Sequence, residues 1–238
     1  GVGFAINNCI AKSLTALPRG VSDRLMTLRL SLAGDKHATL ISAYAPTLSA
    51  SDEDKGQFYE ELRDTLQKVP SSDKILLLGD FNARVGANHS TWKRVLGPHG
   101  IGNCNDNGMD LLTLCSQFNL SITNTFFRIP NKYKTTWMHP RSKHWHLIDY
   151  VIVRRKDLKD VLITRAMRGA DGWSDHRLVR SKLRLVIKRP RRAPHKTPVR
   201  ALCSSLIHNH EASVVLDNTF GDLSKAFPPC GDDNVDEV

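Results

Sequence analysis

Leu76-Leu77-Leu78-Gly79-Asp80-Phe81-Asn82 is the stretch on which the reading of this chain turns. A run of large aliphatic residues ends abruptly at a glycine, then presents a carboxylate and, two residues on, a carboxamide. Alternate residues of an extended chain share a face, so a strand continued through this stretch would aim Asp80 and Asn82 the same way from its open end. An acid and an amide so placed can hold a water and an oxyanion. As a bare pattern, an Asp after a strand serves equally as a turn residue.

Outward from this stretch, short apolar runs rich in β-branched residues recur. Val2–Ile6, Leu25–Leu30, Thr39–Tyr44, Ile75–Leu78, Leu120–Thr123, Ile148–Val153, Val161–Thr164 and Leu178–Ile187 read as strands. Asp52–Val69 places Phe58, Leu62, Leu66 and Val69 at helical spacing behind Ser51 or Asp52 as cap, and Asn107–Phe118 does the same with Leu111, Leu114, Cys115 and Phe118. Many strands and few helices, with no regular strand–helix repeat, predict an α/β sandwich of two packed, mainly antiparallel β-sheets flanked by helices.

At 238 residues, 40% hydrophobic and 24% charged, the chain can bury one large core. That core is assigned to residues 1–187. From residue 188 onward, Lys-Arg-Pro-Arg-Arg-Ala-Pro-His-Lys-Thr-Pro breaks regular structure, so 188–238 reads as a basic, Pro-rich linker and tail with a solvated acidic end and room for a short helix at Ala201–Leu216. The 34 Lys+Arg against 24 Asp+Glu give a net charge of +10, concentrated late in the chain. Such a field suits a polyanion, although a basic solvated surface explains a charge run alone equally well.

The five cysteines form no C-x-x-C pair, which argues against a zinc ribbon or disulfide framework and for a reducing, intracellular compartment. No apolar stretch is long enough to span a bilayer, and no signal-peptide layout opens the chain. The start Gly-Val-Gly-Phe-Ala-Ile reads like the interior of a longer polypeptide. Lys188-Arg189-Pro190-Arg191-Arg192 is compatible with nuclear import, as are many chance basic runs.

Two further clusters could join Asp80. Ser174-Asp175-His176, behind Trp173, precedes a strand, and Asp149 lies inside the apolar run Ile148–Val153, where an unpaired carboxylate is costly to bury. His176 is its natural partner, since a carboxylate accepting from one imidazole nitrogen fixes the tautomer and raises the basicity of the other. His139, His144 and His146 lie near one another, but with no second Cys/His pair they make a poor zinc site. Lys132, Lys134, Arg141 and Lys143, interleaved with Tyr133, Trp137 and Trp145, suit a phosphate backbone and stacked bases, or simply a solvated loop over a packed Trp.

Tyr44-Ala45-Pro46, Gly79-Asp80-Phe81-Asn82, Thr136-Trp137, Ile148-Asp149-Tyr150 and Ser174-Asp175-His176 resemble, in order and spacing, the motifs of the endonuclease/exonuclease/phosphatase superfamily. Gly100-Ile101-Gly102-Asn103, Asp106-Asn107-Gly108, Leu120–Phe126 and Trp173–Val179 resemble the endonuclease part of LINE-type retrotransposons, most of all the craniofacial development protein 2-like group. The resemblance covers about residues 1–187 and implies a phosphodiester hydrolase acting on DNA, with Mg²⁺ (or Mn²⁺) as cofactor, nucleic acid as partner and no membrane. It says nothing of protein partners.

Carried over residue by residue, the resemblance implies that Asp80 orients or deprotonates the attacking water and Asn82 holds that water or a phosphate oxygen. His176, oriented by Asp149, would donate to a non-bridging oxygen, and Tyr44 would give its hydroxyl to the phosphate. Thr136, Asn124 and Arg177 would bind substrate. Asp175 and Asp80 would hold the cation. The family's first-strand Asn and its metal-binding Glu precede the strand that Gly1–Ile6 resembles and have no counterpart here. The expectation is therefore a sandwich lacking its first strands and little or no cleavage by this polypeptide. A non-catalytic basic module that grips nucleic acid on the same fold is the alternative, and a lipid-headgroup phosphatase is a third, disfavoured by the basic excess.

Overall fold

Continuous apolar runs form strands that must be buried on both faces, and Ile75-Leu76-Leu77 meets that demand by lying at the centre of the largest sheet. The computed structural model describes residues 1–170 and 174–188. In chain order its elements are α1 (Asn8–Ala11), β1 (Arg19–Gly20), β2 (Leu25–Ser31), β3 (His37–Tyr44), α2 (Asp52–Lys68), β4 (Lys74–Asp80), α3 (Asp106–Gln117), β5 (Leu120–Ile122), β6 (Trp137–Met138), β7 (Trp145–His146), β8 (Asp149–Arg154), β9 (Val161–Met167) and β10 (Leu178–Leu183). Six strands form one sheet in the order β1-β2-β3-β4-β8-β5, while β9 and β10 pair separately, as do β6 and β7.

The large sheet is mixed. Only β3 and β4 run parallel, and α2 is the crossover that parallel pairing requires. Helix α2 starts where Ser51 accepts a hydrogen bond from the Asp54 amide at 3.1 Å, with Asp52, Glu53 and Asp54 at the positive end of the helix dipole. Helix α3 begins at Asp106, one residue before the sequence pattern suggests, because Asn105 caps it through the Gly108 amide at 2.9 Å.

The alternation of the strands divides the core into two. Ile41, Ile75, Leu77 and Ile152 pack against Phe58, Leu62 and Leu66 of α2 and Leu111, Leu114 and Cys115 of α3. Ala38, Leu76 and Val153 face the other way and pack with Val161 and Leu183 of the second sheet and with Leu185 just beyond it. Sheet upon sheet with helices outside is the sandwich architecture the strand pattern predicts. No helix among the described residues is long and apolar enough to cross a membrane.

Two strand expectations are corrected. Val2–Ile6 does not form a strand: Val2, Phe4 and Ile6 are alternately half-buried, but the segment has no strand partner among the described residues. Alternation alone does not supply the interchain hydrogen bonds that define a strand. The run Leu178–Ile187 is split. After a register shift between Lys182 and Leu183 the chain leaves β9, and Ile187 instead bridges Leu32 at the edge of the large sheet. Trp173 and the tail expected beyond Lys188 lie outside the described residues.

Candidate active site

The end of β4 is built around Gly79. Its φ of +153° and the place a Cβ would take, 1.8 Å from the Ala43 carbonyl oxygen, leave room for hydrogen only. This close approach lets Ala43, Gly79 and Tyr150 share one row of the sheet, and the next row aligns Tyr44, Asp80 and Asp149. Phe81 then plunges into the core, fully buried, with its amide donating to the Ile148 carbonyl at 3.0 Å. The Tyr150 hydroxyl lies 3.0 Å from the Ala83 carbonyl and 2.8 Å from that of Leu147, fastening the chain after Asp80 to the chain before Asp149.

Asp80 is the turn residue that its place after the strand suggests. Its Oδ1 accepts from the Asn82 amide at 2.9 Å, an Asx turn, and Asn82 adopts the left-handed φ of 46° that Asn tolerates. The strand therefore stops at Asp80, and Asn82 does not share its face by simple alternation. The Asn82 side chain donates to the Ala45 carbonyl at 2.9 Å, while Asn107 donates to the Asn82 carbonyl at 3.1 Å.

His176 completes the cluster from outside the large sheet, brought there by a bridge between its backbone and Trp137. Its Nδ1 lies 3.0 Å from Asp149 Oδ2, and its Nε2 stands 4.0 Å from Asp80 Oδ2. The hydrogen bond with Asp149 raises the imidazole above its ordinary value. Burial, reinforced by the negative charge of Asp149, pushes the Asp80 carboxyl up to about 6. Asp80, Asp149 and His176 are the only group of three or more acidic, Cys or His side chains among the described residues whose ligand atoms converge closely enough to share a cation. Two carboxylates forced to face one another are chemically suited to a hard divalent ion, which would relieve their repulsion.

The structure distributes the other candidates unequally. Tyr44 is partly exposed beside Asp80, with the Arg24 guanidinium 5.5 Å from its ring centre. Asp175 does not join the cation cluster: its Oδ2 accepts from the Trp137 indole N–H at 2.7 Å, which holds its carboxyl below the usual range. Thr136 is fully buried, and its hydroxyl oxygen accepts from the amides of Ile148 and Asp149 at 3.2 and 3.3 Å. Asn124 is also buried, donating to the Asp149 carbonyl and accepting from the Val151 amide. These two residues, expected at a substrate, are instead clamps on the start of β8.

Arg177 is similarly engaged. Its guanidinium lies 3.2 Å from the Trp145 ring centre and donates to Thr135 Oγ1 at 2.9 Å. Lys134, one of the basic residues considered for a backbone grip, is buried and donates to the His99 carbonyl at 2.7 Å. Sequence reasoning missed Trp137 as the partner of Asp175 and Asn107 as the brace of the Asn82 turn. A buried Asn and an indole each need a polar partner, which was a signal, but neither residue type names the partner.

A family model described as endonuclease-reverse transcriptase matches residues 38–180. Craniofacial development protein 2 of Bos taurus is 33% identical over 188 residues, covering 79% of this chain and 31% of that protein. Its counterpart from Tragulus javanicus is 34% identical over 188 residues, covering 79% of this chain and 32% of that protein. The chain thus spans about a third of the length of these curated relatives. Among solved structures, the endonuclease domain of TRAS1, a telomere-specific non-LTR retrotransposon, aligns with a TM-score of 0.50 at 16% identity, covering 69% of this chain and 65% of that one. The AP endonuclease LMAP from Leishmania major aligns with a TM-score of 0.50 at 18% identity, covering 77% and 64%. Both likenesses are of fold.

Proposed function

The chain belongs to the endonuclease-reverse transcriptase family, and on that premise we propose that it is a divalent-metal-dependent phosphodiester hydrolase that nicks DNA at the Asp80–Asp149–His176 cluster. The observation that carries the reading is the convergence of two carboxylates and an imidazole at one sheet end, with Asp80 pushed up to about 6 and His176 raised. A carboxylate and an imidazole so tuned suit proton transfer near neutral pH.

In this reading Asp80 takes a proton from the attacking water. His176, its Nδ1 proton held by Asp149, presents Nε2–H to a non-bridging phosphate oxygen as charge builds there. Tyr44, on the same sheet row, offers its hydroxyl to the phosphate. Asn82 steadies the turn that aims Asp80. Asp80 and Asp149 would hold Mg²⁺ or Mn²⁺, which neutralises developing charge on the phosphate. Mg²⁺ is commonly held by one or two carboxylates together with substrate phosphates, so cation and DNA should bind this site cooperatively. The match to the endonuclease-reverse transcriptase family supports a retroelement origin.

Conversion of supercoiled plasmid to open circle by the purified chain tests this reading. Expected is nicking that requires Mg²⁺ or Mn²⁺ and disappears in Asp80→Asn and His176→Gln. Folded protein that binds DNA yet never nicks it under any divalent ion would overturn hydrolysis and favour a binding module.

A further inference from the structure

Beside the cluster lies a groove whose chemistry the hydrolytic reading does not use. One part, about 830 Å³, is lined by Asn82, Arg84, Trp137, His139 and His146, and the adjoining part by Arg84, His144, His146 and Asn131. Arg84 and His146 line both, so they stand between the turn after Asp80 and the β6–β7 hairpin. Trp137 forms its floor: the His139 ring meets it edge-on at 5.5 Å, the His146 ring lies 6.1 Å away, and the His144 ring is 6.0 Å from that of His146.

We propose that Arg84, His139, His144 and His146 form a proton-gated phosphate subsite, which grips the nucleic-acid backbone next to the cleavage cluster and tightens as His146 takes up a proton. The groups facing His146 are Arg84 from the loop after β4 and His144 and His139 from its own hairpin, and no carboxylate is prominent among them. Burial, followed by these three neighbours, holds its imidazole below the ordinary value, so at neutral pH the groove is short of the charge its residues can carry. Of the other charged groups nearby, His176 lies across Trp137 and is engaged by Asp149, and Arg177 is spent on Trp145. A phosphate seated among the three histidines and Arg84 would offset the repulsion that His146 feels from them and raise its affinity for a proton. By linkage, proton uptake must then strengthen phosphate binding. The carboxylate that borders this floor is Asp175, which is held by the Trp137 indole N–H at 2.7 Å.

The inference rests on the reading of the domain as one that handles nucleic-acid phosphodiesters, but its test does not depend on cleavage. Binding of a fluorescein-labelled DNA duplex to the full chain is measured by anisotropy in EDTA, at constant ionic strength, from about pH 7.5 to about pH 5.5. Affinity should rise about tenfold or more over that range. In the variant combining His139→Gln, His144→Gln and His146→Gln the rise should be clearly smaller, what remains coming from Asp80 in the neighbouring cluster, and Arg84→Gln should weaken binding at every pH. The ring signals of His146 in the wild-type chain, followed by NMR, should titrate at higher pH once DNA is bound, a readout that needs no variant to fold. Binding that is flat with pH, a triple variant with the wild-type pH dependence, or a His146 titration unmoved by DNA would each overturn the proposal. Failure of plasmid nicking alone would overturn hydrolysis and leave this inference standing.

Discussion

Asp80 and Asp149 are directly opposed partners across the β4–β8 pair, two carboxylates occupying one cross-strand position at the end of the large sheet. Like charges so placed destabilise a sheet, and burial first, with the Asp149 charge second, raises the proton affinity of Asp80.

The first prediction follows from that opposition. The Asp80 carboxyl titrates near 6 in the folded chain against 3.8 for an ordinary Asp. A carboxyl raised on folding favours its protonated form, so stability falls as pH climbs from the unfolded value through the folded one, and the penalty is complete above it. Asp80→Asn should therefore stabilise the fold at about pH 7 by ~1–3 kcal/mol while abolishing nicking, with the gain shrinking toward about pH 4. Urea unfolding at the two pH values checks it; an equal gain at both would show that charge is not the cause.

Catalysis should have a bell-shaped pH dependence. The acid limb belongs to the carboxylates of the cluster, whose protonation competes with both the cation and proton transfer from water, and the alkaline limb to His176, which must keep its proton to serve the phosphate. Because the hydrogen bond with Asp149 is the main cause of the raised His176 value, Asp149→Asn should draw the alkaline limb to lower pH. Nicking rates at saturating metal across the pH range measure both limbs, and an alkaline limb unmoved by Asp149→Asn would assign it to another group.

Thr136→Val should destabilise rather than alter substrate contact. Its buried hydroxyl accepts from two backbone amides, and leaving them unsatisfied costs ~1–3 kcal/mol. The melting temperature should fall while the salt dependence of DNA binding stays unchanged. Losing a true phosphate contact would instead lower the slope of log affinity against log salt by about 1.

Gly79→Ala should be among the most damaging single changes in the chain. A methyl group there meets the Ala43 carbonyl at 1.8 Å in a backbone conformation that L-residues rarely adopt, so β3 and β4 must separate. A loss of more than ~3 kcal/mol is expected by urea unfolding, or failure to obtain folded protein. Near-wild-type stability would show that the sheet row through Tyr44, Asp80 and Asp149 has slack that the geometry denies.

Much of this molecule is legible in its sequence because the signals are local. The apolar run before Gly79, the 3.6-residue spacing in α2 and α3, and the Ser51 cap act over a few residues and are written in a few residues. Asp80, Asp149 and His176 could be singled out for the same reason: each is a polar residue beside or within a strand, where burial demands a partner.

The sequence by itself thus determined most of the long strands, the sandwich they imply and the three side chains of the cluster. Only the tertiary structure decided that Thr136 and Asn124 face inward to hold β8, that Asp175 accepts from the Trp137 indole, and that Val2–Ile6 forms no strand. Each of these outcomes depends on which of several distant donors or strands reaches a residue first in three dimensions. A hydrogen-bonding group declares in sequence that it needs a partner, but the choice among partners is made by chain segments tens of residues away, whose positions are fixed only when the core closes around them.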